Sequence, residues 1–219
     1  MKKFFTLCAA LLMGFTAAHA DEGMWLLKLM KQQHLEDSLR KAGLQLPATA
    51  LYSETSPSLR DCIGIFGGGC TGEAVSADGL ILTNHHCGFS YVHEMSGIGH
   101  DYMKDGYFAH NRSEELRTPA SLTFTFVKRI TDVTAQVNAE AVKKHADEYT
   151  RQSIGFLEPI AQKMLKKSEF AKLKGMTARI VPYFGGNQFY IFFEQKYQDI
   201  RLVANPPYNI GQFGGNSDN

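Results

Sequence analysis

The sequence predicts a mainly β protein interrupted by a helical block, and three observations carry that reading. From Cys62 to Thr83, and again from Leu122 to Val127, the chain carries short runs rich in Ile, Phe, Val and Thr, the first set broken by turns built on Gly and Asp. From about 132 to 175 the chain turns rich in Ala, Glu, Lys and Gln, with apolar residues at helical spacing. Strand signals then return at Ala178 to Val181, Phe189 to Phe193 and Ile200 to Ala204. With 219 residues, 44% apolar and 21% charged, the chain has a globular composition and is long enough to bury one moderate core.

The N-terminus reads as an export signal. Lys2 and Lys3 precede an apolar stretch from Phe4 to Ala18, and Ala18-His19-Ala20 supplies the small residues that a signal peptidase reads. A signal peptide over 1–20 and a mature chain over 21–219 are therefore expected, in the periplasm, on the cell surface or secreted. The stretch is shorter than the roughly 20 residues a spanning helix needs, and no later segment does better, so no membrane span is expected. The chain carries 23 Lys+Arg against 22 Asp+Glu; loss of Lys2 and Lys3 would leave 21 against 22. Such a balance lacks the basic footprint of a nucleic-acid binder.

The elements follow in order. Leu26, Leu29, Met30 and Leu39 predict a helix from Met24 to Ala42, packed on the body, with Gly43 as its stop. Ser56-Pro57 predicts a cap and one helical turn from Pro57 to Asp61. Ile63 to Phe66 is a short strand, and Gly67-Gly68-Gly69 breaks it. Ala74-Val75 and Leu80 to Thr83 flank an Asp78-Gly79 turn, which marks a hairpin. Leu122 to Val127 alternates as a half-buried strand. Two or three helices are expected over 132–175, with a break at Glu158-Pro159 and a solvated face of Lys163, Lys166, Lys167, Lys172 and Lys174.

The chemistry concentrates between Cys70 and Cys87. In an oxidising compartment cysteines pair, and Cys62, Cys70 and Cys87 allow one bridge with one thiol left over. If the strands pair around Asp78-Gly79, Cys70 returns towards Cys87, and a bridge there would add about 3 kcal/mol in the chain-entropy picture. It would also hold the backbone beside His86, as a general base requires. Zinc is the rival reading, since Cys70, His85, His86, Cys87, His93 and His100 are all possible ligands. No Cys-x-x-Cys or His-Glu-x-x-His spacing supports it, and no Gly-Lys-Ser/Thr follows the glycine run, so neither a metal nor a cofactor is expected.

Thr83-Asn84-His85-His86-Cys87 resembles the histidine segment of chymotrypsin-like serine proteases, with His86, next to the cysteine, in the catalytic position. Further segments resemble the bacterial dipeptidyl-peptidases of the 7 and 11 types. These are Asp21 to Trp25, Gly68 to Glu73, Thr83 to Gly88, Asp101-Tyr102, Asp105-Gly106, Asp199 to Val203 with Pro206-Pro207, and Phe213-Gly214-Gly215 with Asp218-Asn219. They span the whole mature chain in the family's order.

The resemblance implies part of a chymotrypsin-like double β-barrel plus the start of an α-helical domain. It implies a serine exopeptidase that releases dipeptides from peptides with a free N-terminus. It places the aspartate and serine of the triad beyond residue 219, so the chain corresponds to an N-terminal fragment carrying the catalytic His86 alone. Asn219 matches the asparagine that helps hold the substrate's α-amino group. Asn216 departs from the family, where an aspartate is common. Ser217 echoes a nucleophile loop, but no glycine follows it, and its context is that of the Phe-Gly-Gly loop. Oligomeric state stays open, a homodimer of the intact protein being one option. An exported, non-catalytic binding protein on a protease-like barrel is the alternative from another class.

Overall fold

The computed structural model describes residues 26–30 and 32–211. The signal segment, Asp21 to Trp25 and everything after Gly211, including Asn216, Ser217 and Asn219, lie outside the described residues. The described residues fall into two compact units, divided between Ala48 and Thr49.

In the first unit, the helix expected over 24–42 is divided. A 3₁₀ turn at Leu27–Leu29 is separated from α1 (Leu35–Lys41) by His34, whose φ of 53° lies in the left-handed region. That conformation ends one helical path and starts another, and nothing in the apolar spacing announces it. Gly43 does stop α1. Its N–H donates to the Arg40 carbonyl and that of Leu44 to the Leu39 carbonyl, the paired bonds of a Schellman end. A four-residue turn, α2 (Ala48–Leu51), follows.

The second unit is built on a six-stranded antiparallel sheet. Its strands are β1 (Ile63–Phe66), β2 (Cys70–Ala74), β3 (Ile81–Thr83), β6 (Phe124–Asp132), β7 (Met176–Tyr183) and β8 (Gln188–Tyr197), in the order β3-β2-β1-β6-β8-β7. Two small pairs complete the strands. These are β4 (Tyr107–Phe108) with β10 (Ala204–Asn205), and β5 (Leu116–Arg117) with β9 (Arg201–Leu202). The protein is thus mainly β with several helices. Among the described residues β3 and β7 remain edges, and the sheet does not close on itself.

The strand before the helices outruns its sequence signal. Alternation stops at Val127, but pairing with β8 continues to Asp132 across a bulge between Val127 and Arg129. The extra residue, Lys128, shifts the inward and outward phase, so the period-2 pattern breaks although the strand does not. The Lys128 carbonyl accepts from Arg60 Nη2 at 3.1 Å. Upstream, the expected cap is displaced by two residues. Ser58, not Ser56, forms a capping box with Asp61 over the 3₁₀ turn Leu59–Cys62.

Helices α4 (Thr134–Lys143), α5 (Glu148–Gln152) and α6 (Ile154–Lys167) fill the space between β6 and β7 in the chain. Phe156, Leu157, Ile160 and Ala161 form one apolar stripe on α6. With Val133 and Val137 they cover Ala178, Ile180, Phe189, Ile191 and Phe193 of β7 and β8. Lys163, Lys166, Lys167, Lys172 and Lys174 are all exposed. The expected break at Glu158-Pro159 is absent, since Pro159 lies inside α6. The breaks fall instead at His145 (φ 53°), which ends α4, and at Ser153, whose hydroxyl accepts from the Phe156 N–H. A histidine in a role that glycine usually fills hides that stop from the sequence.

The other end of the sheet turns on Phe124, which is fully buried. Gly64 and Gly72 are cross-strand partners in β1 and β2, and both face its ring. A Cβ at Gly64 would sit 2.3 Å from Phe124 Cε1 and 2.9 Å from the Thr125 carbonyl oxygen. Gly64→Ala is therefore expected to destabilise the protein by about 1–3 kcal/mol through overpacking. Gly68→Ala, with open space around it, should stay within about 0.5 kcal/mol of the parent. Urea unfolding of the two variants measures the contrast; equal midpoints would refute this account of the glycine pair.

Candidate active site

The β2–β3 hairpin delivers the histidines. Gly72 pairs with Thr83, Glu73 with Leu82 and Ala74 with Ile81, and Gly79, at φ 83°, takes the left-handed position in the turn. Thr83 Oγ1 also donates to the Thr71 carbonyl at 2.7 Å. Directly after β3 the chain enters α3 (His85–Met95), so His85, His86 and Cys87 occupy its first turn.

Cys70 and Cys87 are joined by a disulfide, with their Cα atoms 5.9 Å apart. Cys87 is buried in a cluster with Phe66, Leu122 and Phe124, flanked by Cys70, Ile81, Tyr91, Phe126 and Ile200. One turn along α3 a second clamp operates. Tyr91 meets Phe66 edge to face at 6.1 Å, and its hydroxyl lies over Gly67. Gly67 has φ 60°, and a Cβ there would come within 2.6 Å of that hydroxyl, so both backbone and space demand glycine. The role of Tyr91 is absent from the motif reading. Its signal is the i, i+4 spacing from Cys87.

His86 is exposed, and among the described residues its ring makes no hydrogen bond. One of its nitrogens and the Cys70 and Cys87 sulfurs lie within 4.8 Å of one another, the trio that the zinc reading would use. Zinc binds thiolates, and these two sulfurs are bonded to each other, so the trio offers one imidazole and no thiolate. His93 stacks on Phe89 and His100 lies against Tyr102, each engaged elsewhere. His85 turns away from His86: its ring contacts Phe89 and Tyr208, and both of its nitrogens are buried.

Segments far apart in sequence converge around this turn. The Asn205 side-chain amide donates to the carbonyls of Tyr102 and Pro206, and Gly106 packs directly on Pro207. The Tyr208 N–H donates to the Met103 carbonyl, which seats α7 (Tyr208–Gly211) beside the 101–106 loop. Ile200 joins the cluster under the bridge, while Arg201 pairs with Asp199 and Glu115. Hydrogen bonds from Arg201 hold the Asp199 carboxyl below its usual range. Tyr107 is pushed up by desolvation and by the Glu114 carboxylate, and its hydroxyl donates to the Glu114 carbonyl. Asp101-Tyr102, Asp105-Gly106, Asp199 to Val203 and Pro206-Pro207 therefore belong to one packed neighbourhood.

The family model described as Peptidase S46 matches residues 20–219. The chain belongs to the S46 peptidases. Among S46 relatives, Dipeptidyl-peptidase 7 of Phocaeicola vulgatus is 47% identical over 220 residues, covering 100% of this chain and 30% of the relative. An Asp/Glu-specific dipeptidyl-peptidase of Porphyromonas endodontalis is 38% identical over 224 residues, covering 100% of this chain and 30% of that protein. The crystal structure of Porphyromonas endodontalis DPP11 in complex with the dipeptide Arg-Glu superposes with a TM-score of 0.82 at 38% identity. It covers 91% of this chain and 28% of the solved one. The chain thus spans about 30% of the length of these S46 relatives.

Loss of the bridge in Cys70→Ser or Cys87→Ser is expected to lower stability by about 3 kcal/mol. Cys62→Ser, at an exposed free thiol, should leave it unchanged. Denaturant unfolding under oxidising conditions, with dithiothreitol as a parallel arm, tests both; a bridge variant as stable as the parent would overturn the clamp.

Proposed function

We propose that this S46 chain is the N-terminal portion of a serine-type dipeptidyl-peptidase that releases dipeptides from the N-termini of peptides, with His86 as its general base. The observation that carries this reading is an exposed imidazole with no hydrogen-bond partner among the described residues, on a helix turn clamped by a disulfide to a buried aromatic cluster. A histidine held that firmly and left open towards solvent is arranged to exchange a proton with something arriving. The relatives' names supply the reaction: they are dipeptidyl-peptidases, and a DPP11 crystal structure holds the dipeptide Arg-Glu.

The chemistry follows the serine protease scheme. A serine Oγ attacks the carbonyl carbon of the substrate's second residue while His86 accepts the hydroxyl proton. His86 then donates that proton to the departing amine as the C–N bond breaks. Water next attacks the acyl-enzyme, giving its proton to His86, which returns it to the serine oxygen as the dipeptide leaves. A carboxylate orienting the other ring nitrogen keeps the imidazole in the tautomer this requires. On this reading the serine and aspartate belong to the part of the protein beyond residue 219, and the amide of Asn219 accepts from the substrate's ammonium group. The open sheet contributes to a chymotrypsin-like double β-barrel, with residues from about 132 to 175 as the insertion. Residues 1–20 direct export to the periplasm, the cell surface or the medium.

In the full-length protein, His86→Ala is expected to lower kcat for a dipeptidyl amide by about 10⁴–10⁶-fold with the fold intact by circular dichroism. The 219-residue chain alone is expected to hydrolyse no such substrate. Retention of a tenth of the parent rate by His86→Ala, or serine-inhibitor-sensitive turnover by the short chain, would refute the assignment.

A further inference from the structure

The bridge and the exposed imidazole beside it hold a second chemistry, one that the oxidised state keeps closed. One nitrogen of His86 and the sulfurs of Cys70 and Cys87 lie within 4.8 Å of one another. Zinc stands about 2.3 Å from a thiolate and about 2 Å from an imidazole nitrogen, so tetrahedral donors are about 4 Å or less apart. The trio thus already spans the volume of a three-donor zinc site, and the bond between the sulfurs is what withholds it. His86 is exposed and Cys70 half-buried, so an ion reaches the trio from solvent. Neighbouring donors do not compete. Cys62 precedes Ile63, the partner of Glu73, whereas Cys70 pairs with Phe66 at the other end of β1. His85 is turned towards Phe89 and Tyr208.

We propose that reduction of the Cys70–Cys87 bridge creates a zinc site from Cys70, Cys87 and His86, and that zinc bound there takes His86 out of use. A dithiol opens the bridge by exchange: each protein sulfur gains an electron and a proton, and the reductant leaves as its own disulfide. Zinc then displaces the two thiol protons and accepts a lone pair from the imidazole, with water in the fourth position. The donors stay together because packing and hydrogen bonds duplicate the bridge. Thr83 Oγ1 donates to the Thr71 carbonyl at 2.7 Å, and the Cys87 N–H donates to the Asn84 carbonyl at 3.0 Å. Phe66, the cross-strand partner of Cys70, meets the ring of Tyr91, one turn beyond Cys87. Metal binding stands on these contacts alone. The loss of activity rests in addition on the reading of His86 as the proton-transfer group, since a nitrogen that ligates zinc cannot accept a proton.

The test uses the full-length protein, oxidised or reduced without air by a phosphine, which ends as phosphine oxide and competes less for metal than a dithiol does. The reduced protein is expected to bind Zn²⁺ about 100-fold or more tightly than the oxidised one, since even a group that only supports a ligand is worth about 10–100-fold. Co²⁺ in place of zinc should show thiolate-to-metal absorption in the reduced protein and none in the oxidised one. Reduced Cys70→Ser and reduced His86→Ala should each bind Zn²⁺ at least about 10–100-fold more weakly than the reduced parent. Zinc should also raise the melting temperature of the reduced protein, because a site built by the fold stabilises the fold. The proposal is overturned if oxidised and reduced protein bind alike, if either variant binds as tightly as the reduced parent, or if zinc leaves the reduced melting temperature unchanged or lowers it. Zn²⁺ should silence the reduced enzyme towards a dipeptidyl amide, with EDTA restoring it. Turnover undiminished by zinc that is demonstrably bound would uphold the metal site and refute His86 as the proton-transfer group, which separates the two failures.

Discussion

The arrangement depends on the covalent join between the end of one strand and the start of one helix. Without the Cys70–Cys87 bridge, α3 would be attached to the sheet by one residue, Asn84, and by the side chains it presses on Phe66. With it, the first turn of α3 is pinned at both of its ends, and the sulfurs sit in the same apolar cluster as Phe66, Leu122 and Phe124. Covalent and packing constraints coincide on the residue next to His86. An imidazole on a long surface helix would sample many positions; here the backbone beneath it has few alternatives.

On that mount the two adjacent histidines face different surroundings. Successive residues on a helix point about 100° apart, so one ring of the pair can face outwards while its neighbour lies against the protein. His86 is the outward one and His85 the packed one. The same turn of helix thus leaves one imidazole exposed and packs the other against aromatic rings. The zinc reading fails for a related reason: the sulfurs nearest His86 are committed to the clamp.

Much of this was legible in the sequence because local chemistry announced it. Asp78-Gly79 between two β-rich runs marks the hairpin, the hairpin returns Cys70 to Cys87, and Gly43 marks the end of α1. Within the fold, what stayed hidden was backbone conformation that the residue type does not advertise. His34 and His145 adopt left-handed φ in places where glycine would have signalled a break. The bulge at Lys128 changes the phase of alternation without ending the strand, and Pro159, the one obvious breaker in the helical block, is absorbed inside α6. At the candidate site, the bridge was readable, whereas the aromatic triangle of His85, Phe89 and Tyr208 was not. It joins residues more than a hundred positions apart, and no short-range pattern reports such a pair.

The bridged cysteines are separated by only 17 positions, and this has a bearing on the order in which the molecule can be assembled. Closing so short a loop asks little of chain entropy. Leu122 and Phe124, on which the fastening rests, come later in the chain. The early segment can be oxidised while still without a floor, and the arrival of β6 then converts a tethered loop into a rigid mount.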